Sequence, residues 1–302
     1  MQYLDEQQVR RCLSYEALIP AVERALIALS AGRIQQPVRS IVHVTEREGI
    51  FALMPAVAGE LMGTKFVTVY ERNAALARPT HQAVIQLFSA TTGEPLLAMD
   101  GRLITEMRTA AVSAAATRLL APQDARVLAL LGSGVQASAH LAALRLVREF
   151  REVRVWSRTA AHAQRFASEN HVEIAETAER AARGADVVVT VTNAREPILR
   201  GEWLGKQTFV CAVGAVGPDR RELDHAAMEG AVVVESREAA QRESAEIVGS
   251  GTAIYAELGE LLAGRVPLPL TRRAVFKSLG VAATDLAAAA LVLAGKGTGP
   301  EV

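Results

Sequence analysis

The sequence contains few cysteines, no excess of charge of either sign and no long apolar run. Its two cysteines, Cys12 and Cys211, form no C-x-x-C pair. They therefore exclude a disulfide framework or a thiolate metal site and favour a reducing compartment. The 33 basic and 33 acidic residues cancel, so no basic surface indicates a nucleic-acid partner. Six histidines without close spacing predict no metal site.

Two further absences bear on location. The longest apolar stretch, Leu286 to Ala294, is too short to cross a bilayer. No basic region precedes an apolar run near Met1, which argues against a signal peptide. We therefore expect a cytoplasmic protein with no membrane partner. A chain of 302 residues allows about two domains.

A glycine-rich turn lies near the middle of the chain. The apolar run 127–131 is typical of a strand buried on both faces, and an Ala/Leu-rich segment typical of a helix follows Ala137. Between them, Gly132 would make a tight turn and Gly134 would let the backbone approach a pyrophosphate. The N–H groups of Val135 and Gln136, at the start of the helix, would bind its phosphates. This pattern predicts a dinucleotide site; the alternative is a glycine turn without a ligand.

Two fold types follow one another along the chain. From residue 124, predicted strands alternate with predicted helices, which include helices over 224–229 and 255–263; the strands are 127–131, 153–156, 172–174, 187–192, 208–213 and 231–234. This alternation predicts a Rossmann-type doubly wound parallel sheet in an α/β domain over residues 121–280. Before it, a helix over 5–31, five β-type runs and a helix over 104–120 predict an α+β domain over residues 1–120.

The second strand of the nucleotide unit, 153–156, ends without a carboxylate. An NAD site usually has an acidic residue there for the ribose 2′-hydroxyl, but this chain has Ser157, Arg158 and Thr159. A guanidinium between two hydroxyls suits the 2′-phosphate of NADPH, so we expect NADH to bind more weakly. The alternative is a solvated loop arginine.

Other candidate residues follow two later strands. Thr192 and Asn193 lie at the end of the predicted fourth strand, and Val213 ends the fifth. The carboxyl ends of such strands border the ligand crevice, so these residues are candidates for cofactor binding. The alternative is an ordinary transition from strand to loop that binds no ligand.

Three cations stand in apolar surroundings in the first domain. They are Arg39, Lys65 and Arg108. Buried cations are costly without an anionic partner, so together they would form a carboxylate-binding site. The alternatives, solvated or salt-bridged side chains, stay open on pattern alone. His81 is more often structural than catalytic.

Many motifs in the same order identify a family resemblance. The chain resembles the ornithine cyclodeaminase/μ-crystallin family over nearly its whole length. The matching stretches are Gln36-Pro37-Val38-Arg39, Leu53-Met54-Pro55, Thr64-Lys65-Phe66-Val67-Thr68, Thr80-His81-Gln82-Ala83, Met99-Asp100-Gly101, Arg108-Thr109-Ala110-Ala111, Gly132-Ser133-Gly134-Val135-Gln136, Trp156-Ser157-Arg158-Thr159, Glu196-Pro197-Ile198-Leu199, Arg221-Glu222-Leu223-Asp224 and Val275-Phe276-Lys277-Ser278-Leu279-Gly280.

The resemblance implies a homodimer of two-domain subunits acting on amino and imino acids. The first domain, completed by a C-terminal helix over 281–302, would bind substrate and dimerise, and the second would bind the nicotinamide cofactor. The substrate carboxylate would be held by Arg39, Lys65 and Arg108, and Lys65 is also the candidate for moving a proton. Thr80, His81 and the segment Ser278-Leu279-Gly280 would lie near the nicotinamide.

Two departures point to one branch of the family. Cyclodeaminases carry acids where this chain has Ala52 and Val216, and neither of these residues can move a proton. The resemblance therefore implies an NADPH-dependent reductase of cyclic ketimine carboxylates, Δ1-pyrroline-2-carboxylate and Δ1-piperideine-2-carboxylate, giving proline and pipecolate. The alternatives are an ornithine cyclodeaminase, an alanine dehydrogenase, or a ligand-binding protein without turnover, as in the lens.

Overall fold

The computed structural model describes residues 2–270 and 273–295. The chain forms two compact units, one containing residues up to Arg108 and those from Val281, and the other residues Thr109 to Gly280. The first division falls inside a helix that the sequence analysis assigned whole to the first domain. Residues 296–302 of the predicted C-terminal helix lie outside the described part of the chain.

The first unit begins with short elements and continues as a meander of strands. In chain order these elements are β1 (Tyr3–Leu4), α1 (Glu6–Arg10), α2 (Tyr15–Ser30), β2 (Ile34–Gln35), β3 (Ser40–Val44), β4 (Gly49–Ala58), β5 (Leu61–Tyr70), β6 (His81–Ser89), β7 (Pro95–Asp100) and α3 (Arg102–Leu120).

The remaining elements complete the second unit and return the chain to the first. They are β8 (Val127–Leu131), α4 (Val135–Leu144), β9 (Glu152–Trp156), α5 (Ala160–Asn170), β10 (Glu173–Ile174), α6 (Ala178–Ala182), β11 (Val187–Thr190), β12 (Phe209–Ala212), β13 (Ala231–Val234), α7 (Arg237–Glu243), α8 (Ala245–Ser250), β14 (Ile254–Glu257), α9 (Leu258–Leu262), β15 (Ala274–Lys277) and α10 (Ala282–Ala294).

A mixed seven-stranded sheet forms the first unit. Its order is β1-β7-β6-β5-β4-β2, with β3 also paired to β4. All pairs are antiparallel except β1 with β7. Helix α10 packs on β4, β5 and α2, and its Ala and Leu side chains are mostly buried. The predicted helix over 5–31 is two helices, because Ser14 caps a new helix by accepting a hydrogen bond from the Ala17 N–H.

An eight-stranded parallel sheet forms the second unit. Its order is β10-β9-β8-β11-β12-β15-β13-β14, and every pair is parallel. Apolar strands buried on both faces need helices on both sides, as the alternation predicted. The predicted α/β fold class is confirmed.

Three details of the second unit differ from the prediction. β15 was not predicted, although it lies between β12 and β13. The predicted helix over 255–263 begins as the edge strand β14, and only α9 is helical. The predicted helix over 224–229 is a three-ten turn at Ala226–Met228. Among the described residues, no helix has the length and apolarity needed to cross a membrane.

Candidate functional site

The glycine turn after β8 has the geometry that a dinucleotide site requires. Gly132 has a φ of +121°, and a Cβ there would lie 2.8 Å from the carbonyl oxygen of Val191. Only glycine fits this position without strain. Gly134 caps α4, and a Cβ there would meet no atom within 4 Å. The turn therefore leaves open space in front of the helix.

The start of α4 offers unsatisfied donors at that open space. No side chain caps the helix, and Val135 is 59% exposed. The N–H groups of Val135 and Gln136 belong to the first turn, which has no intrahelical acceptors. A pyrophosphate would satisfy them and would also be favoured by the helix dipole. The residues present thus fit a nicotinamide dinucleotide.

The triplet after β9 lies beside this turn. β8 and β9 are parallel neighbours, and the Gly132 N–H donates to the Trp156 carbonyl at 2.8 Å. Ser157 is half-buried, whereas Arg158 and Thr159 are exposed. Thr159 is the N-cap residue of α5, and its side chain makes no capping hydrogen bond to that helix.

A buried glutamate ties together the loops that follow β11 and β12. Glu222 is fully buried, and its carboxylate accepts hydrogen bonds from the Thr190 hydroxyl, the Thr192 hydroxyl and backbone N–H, and the N–H groups of Gly214 and Ala215, at 2.6–3.2 Å. These donors join the carboxyl ends of two adjacent strands.

Two further predicted cofactor residues lie at the same edge. Asn193 is exposed after β11, and Val213 is buried directly after β12. Gly214 cannot be replaced, since a Cβ there would lie 2.0 Å from the Thr192 carbonyl oxygen. The two loops are therefore packed backbone against backbone, and their positions are fixed relative to each other.

A second buried carboxylate holds the segment after β15. Glu235 accepts hydrogen bonds from the Ser278 hydroxyl at 3.1 Å, the Leu279 N–H at 2.7 Å and the Gly280 N–H at 2.9 Å. Ser278 and Leu279 are themselves buried. Neither Glu222 nor Glu235 is among the site residues predicted from the sequence. An acid in an apolar stretch was the available signal, because buried carboxylates need donors.

In the first unit, two of the three predicted cations meet at one carboxylate. Lys65 on β5 and Arg108 on α3 are 2% and 4% exposed. The Lys65 Nζ lies 2.7 Å from one oxygen of Asp285 on α10, and the Arg108 Nε donates to the other at 2.9 Å. The open alternative of a salt bridge therefore holds for both cations, and they also lie together. Sequence reasoning missed Asp285.

Burial and charge set the protonation of this cluster. Burial lowers the pKa of Lys65 to about 7, with Arg108 and Arg39 adding to the effect and Asp285 opposing it. Burial alone would raise the pKa of Asp285, but Arg108 and Lys65 outweigh it and lower that pKa below its usual value. Asp285 is therefore an anion at neutral pH, and Lys65 is close to its titration point.

The cluster retains an unused donor. The Arg108 Nη1 is buried and has no hydrogen-bond partner within the described residues. An orphaned charged donor is expensive, and a ligand carboxylate would satisfy it. This is the observation that most directly indicates an anion-binding site.

The other predicted substrate residues, Arg39, His81 and Thr80, differ in how deeply they are buried. Arg39 is half-buried before β3 and is close enough to Lys65 to lower the pKa of that side chain. Burial lowers the pKa of His81 to about 4, and Lys65 and Arg108 add to this, so His81 is neutral at pH 7. Thr80 is exposed, and its carbonyl accepts from the Tyr70 N–H at 2.8 Å.

The described residues contain no set of side chains placed to bind a metal ion. No group of three or more His, Cys, Asp or Glu side chains there is placed to hold an ion. Ala52 is buried on β4, and Val216 is half-buried after β12.

Comparison with known proteins places the chain. The sequence model of the ornithine cyclodeaminase/mu-crystallin family matches residues 2–295. The chain belongs to this family. It is 46% identical over 299 residues to ketimine reductase mu-crystallin from Mus musculus, a match that covers 96% of each chain.

Two solved structures share the whole fold. One is Δ1-pyrroline-2-carboxylate reductase of Thermococcus litoralis in complex with NADH and L-proline, with a TM-score of 0.93, 32% identity and coverage of 100% of both chains. The other is an archaeal alanine dehydrogenase dimer with bound NAD, with a TM-score of 0.92 and 30% identity, covering 100% of this chain and 98% of that one. The similarity to both extends over both units of this chain.

Proposed function

We propose that this protein is a reductase of cyclic ketimine carboxylates, with Δ1-pyrroline-2-carboxylate and Δ1-piperideine-2-carboxylate as substrates. The observation that carries the proposal is the buried Lys65–Asp285–Arg108 cluster with its unpaired guanidinium N–H. A mammalian ketimine reductase and an archaeal pyrroline-2-carboxylate reductase are full-length relatives, which supports the substrate class.

The reaction asks little of the protein beyond positioning. When bound, the reduced nicotinamide supplies a hydride to ring carbon C2, and the C=N electron pair moves to the nitrogen of the protonated imine, giving the amine. Arg108, Lys65 and Arg39 would hold the ring carboxylate and so fix which face of C2 is presented. Lys65, with its pKa lowered to about 7 by burial, can hold or deliver a proton in neutral solution.

The preferred reductant in this proposal is NADPH. Ser157, Arg158 and Thr159 offer two hydroxyls and one guanidinium beside the glycine turn, without a carboxylate for a ribose 2′-hydroxyl. Relatives were solved with NADH and with NAD, so the preference of this chain depends on its own triplet. NADH should bind more weakly.

We propose a homodimer formed through the first unit. Two strands of its sheet expose apolar side chains: Ile41 and Val42 on β3 are 45% and 54% exposed, and Val84 on β6 is 39% exposed. A second copy would cover this apolar surface. The archaeal alanine dehydrogenase relative is a dimer. Light scattering of the purified protein measures the mass; a monomer would contradict this proposal.

We also place the enzyme in the cytoplasm. Cys12 and Cys211 are both free thiols, and a reducing compartment keeps them so. Fluorescence microscopy of a tagged chain tests this.

One experiment separates the proposed reaction from its rivals. The purified protein is incubated with each cyclic imine and NADPH, and separately with ornithine and NAD. Consumption of NADPH with formation of proline or pipecolate is expected, and no proline from ornithine, because Ala52 and Val216 cannot move the protons of a deamination. Proline from ornithine, without NADPH consumption by the imines, would overturn the proposal. Binding of the imines without turnover would instead indicate a ligand-binding protein.

A further inference from the structure

Asp285 stands where three elements of the first unit meet. It lies in the first turn of α10, where the positive end of the helix dipole favours a carboxylate. Its two oxygens face different cations, the Lys65 ammonium from β5 and the Arg108 guanidinium from α3. The side chain is 2% exposed, so water does not screen these contacts.

Asp285 uses only some of the hydrogen-bond donors of Lys65 and Arg108, which leaves the others for the carboxylate of a ligand. The Asp285 Oδ1 accepts the Nε–H of Arg108, and its Oδ2 lies 2.7 Å from the Lys65 ammonium nitrogen. The Arg108 Nη1 is left without a partner in the described part of the chain. An ammonium carries three donors and a guanidinium five, so both cations keep donors for a second carboxylate. One internal anion also offsets only one of the two positive charges.

We propose that Asp285 is a positioning residue: it holds Lys65 and Arg108 together as a two-cation receptor for one ring carboxylate, and it sets the pH range over which that receptor is fully charged. The inference rests on the proposed function for the identity of the ligand. It assigns Asp285 no contact with the reacting carbon.

The charges around Lys65 give the direction of the second effect. Lys65 faces Arg108 on α3, Asp285 on α10, Arg39 before β3 and His81 on β6. Of these groups Asp285 alone is an anion, and His81 is neutral because burial holds its pKa near 4. Removing the Asp285 charge leaves burial, Arg108 and Arg39, which all lower the pKa of Lys65.

The test uses pyrrole-2-carboxylate, a ring carboxylate whose nitrogen does not titrate near neutral pH. Its affinity is measured by calorimetry on the full-length protein with saturating NADPH, between about pH 5.5 and pH 9, where the carboxylate itself stays ionised. For the wild type the affinity should fall as Lys65 loses its proton, with a midpoint near 7. No turnover is needed, so the titration of the imine does not enter.

The Asp285→Asn variant keeps the shape and removes the charge. Its midpoint should lie about one pH unit or more below that of the wild type, because an opposite charge in contact shifts a pKa by about 1–3 units. Asp285→Glu keeps the charge but moves the carboxylate, so its midpoint should stay while its affinity falls by about tenfold or more. Glu176→Gln removes an exposed carboxylate of the second unit and should match the wild type in both.

Thermal unfolding of each variant shows whether it folds. If Asp285→Asn does not fold, Asp285→Glu still tests the positioning role. Equal midpoints for the wild type and Asp285→Asn, or unchanged affinity in Asp285→Glu, would overturn the proposed role of Asp285 and leave the proposed substrate class standing. Failure of the wild type to bind pyrrole-2-carboxylate at any pH would overturn the proposed substrate class instead.

Discussion

Replacing Arg108 is the sharpest test of carboxylate binding. The side chain is 4% exposed, donates its Nε–H to Asp285 at 2.9 Å and leaves its Nη1 unpaired. Arg108→Ala removes the donor that we propose binds the substrate and leaves the Lys65 ion pair of Asp285 in place. The loss should therefore appear mainly in KM for a ring that carries a carboxylate, with little change in NADPH affinity.

The expected size follows from the contacts that are lost. A hydrogen bond to a charged group contributes about 1.5–3 kcal/mol. At about 1.4 kcal/mol per tenfold change, kcat/KM should fall roughly 10- to 150-fold. Arg108→Lys should recover only part of this, because an ammonium cannot make the planar two-point contact with a carboxylate. Breaking a buried ion pair also costs about 3–5 kcal/mol of stability, but here Asp285 keeps its second cation, so the lower end is expected.

The assay compares two substrates and one control variant. NADPH oxidation is followed with Δ1-pyrroline-2-carboxylate and with 1-pyrroline, which has the same ring without the carboxylate. Arg180→Ala removes an exposed arginine of the second unit that pairs with the exposed Glu176, and this variant should behave as wild type. Equal reduction of both rings by the wild type would refute carboxylate binding at Arg108, as would an Arg108→Ala variant with unchanged KM.

Three further predictions follow from the second unit and from the reaction. Arg158→Ala should weaken NADPH by about 1.5–3 kcal/mol and leave NADH nearly unchanged in fluorescence titrations, and equal weakening of both would show that Arg158 does not bind the 2′-phosphate. The rate with either imine should fall at alkaline pH, because the imine loses its proton and because Lys65, whose pKa burial lowers to about 7, loses its charge; a flat profile of kcat/KM up to about pH 9 would contradict this. Burial lowers the pKa of His140 to about 4, while its Nδ1 bonds the Gln136 carbonyl and its Nε2 the Ser113 hydroxyl. The unfolded state therefore gains a proton at His140 below about pH 6.5 and the folded state does not, so His140 should lower the free energy of unfolding by about 2 kcal/mol by pH 5. His81, whose pKa burial also lowers to about 4, contributes in the same direction in both proteins. In urea unfolding the drop between pH 7 and pH 5 should therefore be about 2 kcal/mol smaller in His140→Gln than in the wild type, and an equal drop in both would assign it to other groups.

The sequence predicted those features that depend on neighbours along the chain. The strand, glycine turn and helix from Val127 to Leu144 were readable because apolar period and glycine position are local signals. β15 was missed because its four residues, Ala274–Lys277, are too short a run to distinguish from loop. Its place between β12 and β13 is a long-range pairing that no local pattern encodes.

Some residues of the candidate site were predicted from the sequence, and their arrangement was not. Lys65 and Arg108 stood out as cations in apolar surroundings, but their meeting depends on strand and helix packing that the pattern does not contain. Asp285 lies in the alanine-rich segment Ala282–Ala294 and is likewise a charged residue in apolar surroundings, but it is an anion. A buried aspartate in such a helix requires a cation, and matching it with the two buried cations would have predicted the cluster.

The network around Glu222 and Lys277 in the second unit differs from the Asp285 cluster of the first unit in how its polar atoms are paired. In the second unit, Lys277 donates to the Ala215 carbonyl at 2.6 Å and lies 3.4 Å from Glu246, while the oxygens of Glu222 are filled by backbone and hydroxyl donors. That network satisfies itself, so it holds loops and needs no ligand. In the first unit the Asp285 cluster has more donors than its one carboxylate can accept, and the Arg108 Nη1 stays unpaired among the described residues. Because a buried unpaired charged donor is destabilising, we propose that an anion from outside the chain pairs with the Arg108 Nη1.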